Sequence, residues 1–148
     1  MSMQWDEVTH LNGGLYLLQG NFSSYLNHSS FYPPLYDIFT AGFFAVGGIS
    51  LFTSRLVSVV FSLLTLYAVF EFGCRTYGAK TGLLASFFLG IMPGYFWLSR
   101  TAMIEPMMIF FFTASGLLFF SWLRTENTKF LILSGLTLGW ASSRSIKR

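Results

Sequence analysis

The stretch ISLFTSRLVSVVFSLLTLYAVFEF occupies residues 49–72. Wound as a helix it crosses a hydrocarbon core of about 30 Å at about 1.5 Å per residue. Arg55 sits near its start. A second apolar run covers 82–98, where Pro93-Gly94 predicts a kink. A third covers 106–123, with Pro106 in the first turn, where its missing N–H costs nothing. A fourth, 130–141, is apolar but too short to cross unaided. The runs describe an all-α, polytopic transmembrane helical bundle. Composition agrees: 53% of the 148 residues are hydrophobic and only 10% charged, against about 25% charged in soluble domains. Aromatic residues make up 20%, with eighteen Phe, more than a small soluble core can hide from water.

Outward from the first span, the N-terminal third is more polar. Asp6-Glu7 is followed by Val8, Leu11, Leu15 and Leu18 at spacings of three and four, an amphipathic helix that Gly20 stops. Asn12-Gly13-Gly14 weakens that helix, since each Gly costs up to about 1 kcal/mol in a helix interior. Residues 21–30 read as a loop by composition. Pro33-Pro34 then opens a helix whose apolar stripe is Leu35, Ile38, Phe39, Phe43 and Val46, with Asp37 and Thr40 off it. Such a helix belongs in the membrane interface and ends at Gly47-Gly48.

Basic residues set the expected topology. Arg75 and Lys80 lie in one short link, Arg124 and Lys129 in another, and alternation puts both on one side. The positive-inside rule makes that side cytoplasmic. Residues 1–48 and 99–105 then face away from the cytoplasm. The expected division is a non-cytoplasmic loop with amphipathic helices over 1–48, transmembrane helices over 49–141, and a short basic tail over 142–148. The net charge of +3 does not mark a nucleic-acid binder, because the basic residues are scattered singly between apolar runs. Cys74 is the one cysteine, so no internal disulfide exists, and it reads as a packing residue.

Three acids stand where chemistry is expected, Asp6, Glu7 and Glu105, all on the non-cytoplasmic side. Each also has a plain structural reading: a helix cap for Asp6-Glu7 and favourable charge at a helix start for Glu105. Arg55 and Arg100 share that boundary. They snorkel to headgroups or clamp a phosphate, which a guanidinium matches in pairs. His10 and His28 lack ligand spacing. With Asp6 and Glu7 they would make at best a weak divalent-metal site, and no cofactor is assigned.

The order and spacing of Trp5-Asp6-Glu7, Tyr32-Pro33-Pro34-Leu35, Thr53-Ser54-Arg55-Leu56 and Arg100-Thr101-Ala102-Met103-Ile104-Glu105-Pro106 resemble the GT-C membrane glycosyltransferases. This is the group of protein O-mannosyltransferases and lipid A aminoarabinose transferases. The resemblance runs from about residue 5 to about 140. It implies transfer of a sugar from a polyprenyl-phosphate-linked donor to a hydroxyl of a protein, lipid or glycan acceptor, at the outer face of the cell membrane. It maps the catalytic base to Asp6, with Glu7 in the same signature, and the second acid to Glu105. Arg55, Arg100 and Tyr32 fall to the donor phosphate. Some relatives carry Lys where Tyr32 stands. Relatives begin with a helix ahead of the acidic pair and continue through many further spans, so the chain reads as an N-terminal fragment, inactive alone. The alternatives are a small non-catalytic membrane subunit, packed through Gly82, Gly90, Ser115 and Gly116, or a transporter fragment.

Overall fold

The computed structural model describes residues 5–28 and 34–142, with side chains over 7–27 and 34–139. Every described element is a helix. They are α1 (Trp5–Leu18), α2 (Phe22–His28), α3 (Pro34–Gly47), α4 (Leu51–Tyr77), α5 (Ala79–Ile91), α6 (Pro93–Leu98), α7 (Glu105–Thr125) and α8 (Thr128–Ser142). Tyr32, Pro33 and the tail beyond Ser142 lie outside the described residues.

Local chemistry explains the boundaries. Ser50 starts α4 by accepting the Thr53 N–H at 3.1 Å, as a side-chain cap should. Gly78 ends it with φ of 98°, a conformation that costs glycine little. The link expected over 73–80 is therefore mostly helix. Met92 is extended because Pro93 follows it, and a residue before proline is pushed out of the helical region. The second apolar run is thus broken into α5 and α6 rather than bent. Residues 21–30, expected as a loop, include α2. Asn21 turns its side chain to the Ser24 N–H at 3.2 Å, so the residue that suggested a loop caps a helix.

α4 is the centre. It packs against α5, α7 and α3, while α8 lies on α7 and α1 lies on α3. Its inward face is built of small and hydroxyl residues, among them Ser54, Ser58, Ser62, Thr65, Ala68 and Gly73. Phe52, Leu63 and Tyr67 point outward. Small residues let helix backbones approach closely where no water drives association. At Gly73 and Gly82 the approach is extreme: a Cβ on Gly82 would lie 2.5 Å from the Phe70 carbonyl oxygen. α4 and α7, at 27 and 21 residues, are long and apolar enough to cross a membrane.

α3 and α1 both bury polar side chains. The buried residues of α3 are Tyr36, Asp37, Thr40 and Phe44, while Ile38 and Val46 of the expected apolar stripe are exposed. On α1 the buried positions are Glu7, His10, Gly13 and Gly14. α3 docks through Tyr36, Asp37, Thr40 and Phe44, and α1 through Glu7, His10 and its two glycines, with Val8, Leu11 and Leu15 half-buried. Gly13-Gly14 does not break α1, because this is where α3 presses closest. A Cβ on Gly13 would fall 2.6 Å from Asp37 Oδ2, and one on Gly14 2.7 Å from Thr40 Cγ2.

Candidate active site

Glu7 lies at the start of α1 and has no exposed surface. Its Oε1 accepts from Arg55 Nε at 2.8 Å and its Oε2 from Arg55 Nη2 at 2.9 Å. This is the two-pronged pairing that a planar guanidinium offers a carboxylate. Oε1 also accepts the main-chain N–H of Ala102 at 2.9 Å. One carboxylate therefore ties α1 to α4 and to the connector between α6 and α7. Glu105 heads α7 three residues beyond that anchored amide, half-buried in the first turn.

A second tie reaches the same connector. Ser58 donates to the Met103 carbonyl at 3.2 Å. Its oxygen stands 2.9 Å from the Tyr36 hydroxyl, which also donates to the Ser54 carbonyl at 3.3 Å. Burial pushes the Tyr36 phenol above its usual pKa, so the proton it donates is retained. Tyr36, Val57, Phe61, Ile104 and Met107 form the hydrophobic cluster beneath. Connector residues Thr101, Ala102 and Ile104 are buried with it.

Behind the acid lies a polar cluster that sequence reasoning missed. His10 Nδ1 is 2.9 Å from Asp37 Oδ1, and the Tyr25 hydroxyl donates to Asp37 Oδ2 at 3.2 Å. The Tyr36 ring meets His10 edge-on at 4.9 Å. His10 thus pairs with a carboxylate on α3 that was not among the proposed ligands. The available signal was Asp37 itself, the one acid on an otherwise apolar helix.

The other expected site residues fall as follows. Asp6 belongs to the first turn of α1, beside Glu7 in sequence; its side chain lies outside the described residues, and so does Tyr32. Arg100 is exposed on the connector, its guanidinium 4.7 Å over the Phe96 ring. Glu7 and Arg55 meet directly; Arg100 and Glu105 flank the amide that Glu7 holds. Among the described residues, no three His, Cys, Asp or Glu side chains gather as a metal requires. An open apolar groove of about 540 Å³ runs between α3 and α4. Phe39, Phe43, Phe52 and Leu56 line it, with Thr53 at its wall. Thr53 and Leu56 bracket Arg55 in sequence.

A family model described as dolichyl-phosphate-mannose-protein mannosyltransferase matches residues 32–144. The chain belongs to this family. The match takes in Arg55, Arg100 and Glu105 and begins after α1. Comparison with curated proteins found no match, and comparison with solved structures found none. Membership in the dolichyl-phosphate-mannose-protein mannosyltransferase family makes this a membrane protein of the glycosyltransferase class, and the family works on sugars carried by polyprenyl phosphate.

Proposed function

We propose that this protein transfers a sugar from a polyprenyl-phosphate donor to an acceptor hydroxyl on the non-cytoplasmic face of the cell membrane. The observation that carries the reading is the junction at Glu7. It holds the start of α1, where Asp6 lies, against the connector that bears Arg100 and leads into Glu105. This junction supports a site at that end of the bundle, built from the acids and basic residues that the family chemistry calls for.

In this reading Asp6 takes the proton of the acceptor hydroxyl. The acceptor oxygen bonds to the anomeric carbon as the bond from that carbon to the phosphate oxygen breaks. The polyprenyl phosphate leaves with the electron pair, and the single displacement inverts the anomeric centre. Arg100, Tyr32 and Arg55 stabilise the charge growing on the phosphate. Glu105 orients the acceptor. The apolar groove between α3 and α4 gives the donor's hydrocarbon chain a path. Residues 1–48 and 99–105 share the outer side, residues 49–141 are the membrane part, and 142–148 form the basic tail.

The test is photolabelling in native membranes with a diazirine-bearing polyprenyl phosphate. Labelling of this chain that mannosyl phosphopolyprenol competes away, and excess phospholipid does not, supports the reading. Equal competition by both lipids overturns it.

A further inference from the structure

We infer that Glu7 is a positioning residue that holds the connector over 99–104 in register with the start of α1, and that it does not carry the proton. The inference rests on the glycosyltransferase reading above and assigns a role within that site. Three observations support it. First, both carboxylate oxygens are engaged, Oε1 by Arg55 Nε and the Ala102 N–H, and Oε2 by Arg55 Nη2, at 2.8 to 2.9 Å. Oε1 has both lone pairs taken, and Oε2 already accepts from the guanidinium, so three donors share the charge that a base would need. Second, Glu7 is fully buried, while Arg55 keeps about a fifth of its side-chain surface. The acid is the enclosed member of the pair, where a substrate has least access. Third, the partners are remote. Arg55 is 48 residues away and Ala102 is 95 residues away. A carboxylate that needed only a charge partner to stay in place would not require the amide of a third element.

The geometric consequence is specific. Asp6 precedes Glu7 by one residue, and Glu105 follows Ala102 by three. Fixing Glu7 to the Ala102 amide fixes the spacing between the segments that carry both other acids. Small misplacements of reacting groups cost rate steeply, by about 10²-fold for 1 Å.

Two measurements test it. The first reads transfer from mannosyl phosphopolyprenol by membranes of cells carrying each variant at the native locus. Glu7→Gln keeps the shape and one good acceptor oxygen. We expect it to slow turnover about tenfold and leave the fall in rate at acid pH where it was. Arg55→Met strands a buried carboxylate and should slow turnover at least 100-fold. The pair Glu7→Gln/Arg55→Met should be slowed clearly less than the product of the two single effects, a coupling that only a shared interaction gives. The second measurement is the distance between spin labels at Leu18→Cys and Trp97→Cys, in a Cys74→Ser background in lipid nanodiscs. It should be sharp in the parent and with Glu7→Gln, and broad with Glu7→Ala. Loss of all transfer together with the acid limb in Glu7→Gln would identify Glu7 as the proton acceptor and overturn the proposal. An unchanged distance in Glu7→Ala would overturn it too. Failure of the parent protein to take up the photoreactive polyprenyl phosphate specifically overturns the functional reading instead, and the distance distribution then judges the clamp by itself.

Discussion

His10 Nδ1 and Asp37 Oδ1 stand 2.9 Å apart, 27 residues distant in the chain and each about 2% exposed. Between them they join the first and third helices at a point that water does not reach. Removing one hydrogen-bond partner of a buried polar group costs about 1–3 kcal/mol, and Asp37 keeps the Tyr25 hydroxyl. His10→Ala should therefore loosen α1 from α3 by an amount in that range. His10→Ala/Asp37→Leu should restore much of it, since the carboxylate left short of a partner is gone. Protease cutting near residues 18–21 in nanodiscs, compared across the three proteins, measures the difference. Equal cutting of single and double variants would show that the pair contributes nothing.

Gly13 should resist substitution. Alanine there gains up to about 1 kcal/mol of helix propensity, but its Cβ arrives 2.6 Å from Asp37 Oδ2. Overpacking costs about 1–3 kcal/mol, and in this case it also pushes the carboxylate off His10. The expected outcome is a net loss of about 1–2 kcal/mol and faster cutting between α1 and α2. Gly20→Ala is the control, for nothing stands near that position, and its cost is only the strain of φ of 69°.

Gly82→Ala should part the α4–α5 pair. The new methyl would meet the Phe70 carbonyl at 2.5 Å and the Cys74 amide at 2.8 Å, and main chain cannot step aside as a side chain can. The expected reading is freer reaction of Cys74, which is now half-buried, with maleimide. Gly90→Ala, whose nearest neighbours are Leu66 methyl carbons at 3.7 and 3.8 Å, should leave Cys74 as it was.

Asp6→Asn should abolish transfer at the native locus while membrane yield holds. Asparagine caps a helix about as well as aspartate, but it cannot take a proton. Loss of a general base typically costs about 10²–10⁴-fold. Near-normal turnover by the Asn variant would remove Asp6 from the role and leave Glu105 as the next candidate.

Sidedness has its own test. Asn27 and Asn127 are both exposed. As single cysteines in a Cys74→Ser background, Asn27→Cys should react with an impermeant thiol reagent in intact cells and Asn127→Cys only after permeabilisation. The opposite pattern would turn the whole assignment of faces around.

The long helices were legible because nothing else explains so many consecutive apolar residues, and Pro106 and Pro93 marked real boundaries. Short elements were less legible. α2 hid behind Asn and Ser, residues that serve loops and helix caps alike. The apolar stripe of α3 was read as facing the membrane interface, but the polar residues opposite it gave no sign that they would pack against α1 and α4. Here Tyr36, Asp37 and Thr40 are inside and Ile38 and Val46 outside. The Glu7–Arg55 pair could be suspected only as two charges at one boundary. The Ala102 amide could not be suspected at all, since a main-chain N–H leaves no mark in a sequence.

The inward-turned polar faces of α1 and α3 bear on how this protein is handled outside a cell. Its helices are kept by their own main-chain bonds, while the docking of one on another near Glu7 and Asp37 depends on water staying away. A small, fast-exchanging detergent that admits water there would let carboxylate, imidazole and guanidinium find solvent partners. The backbone would register little change. A preparation can then keep its full helical circular dichroism and have lost the arrangement at Glu7, so helix content is a poor certificate of an intact site.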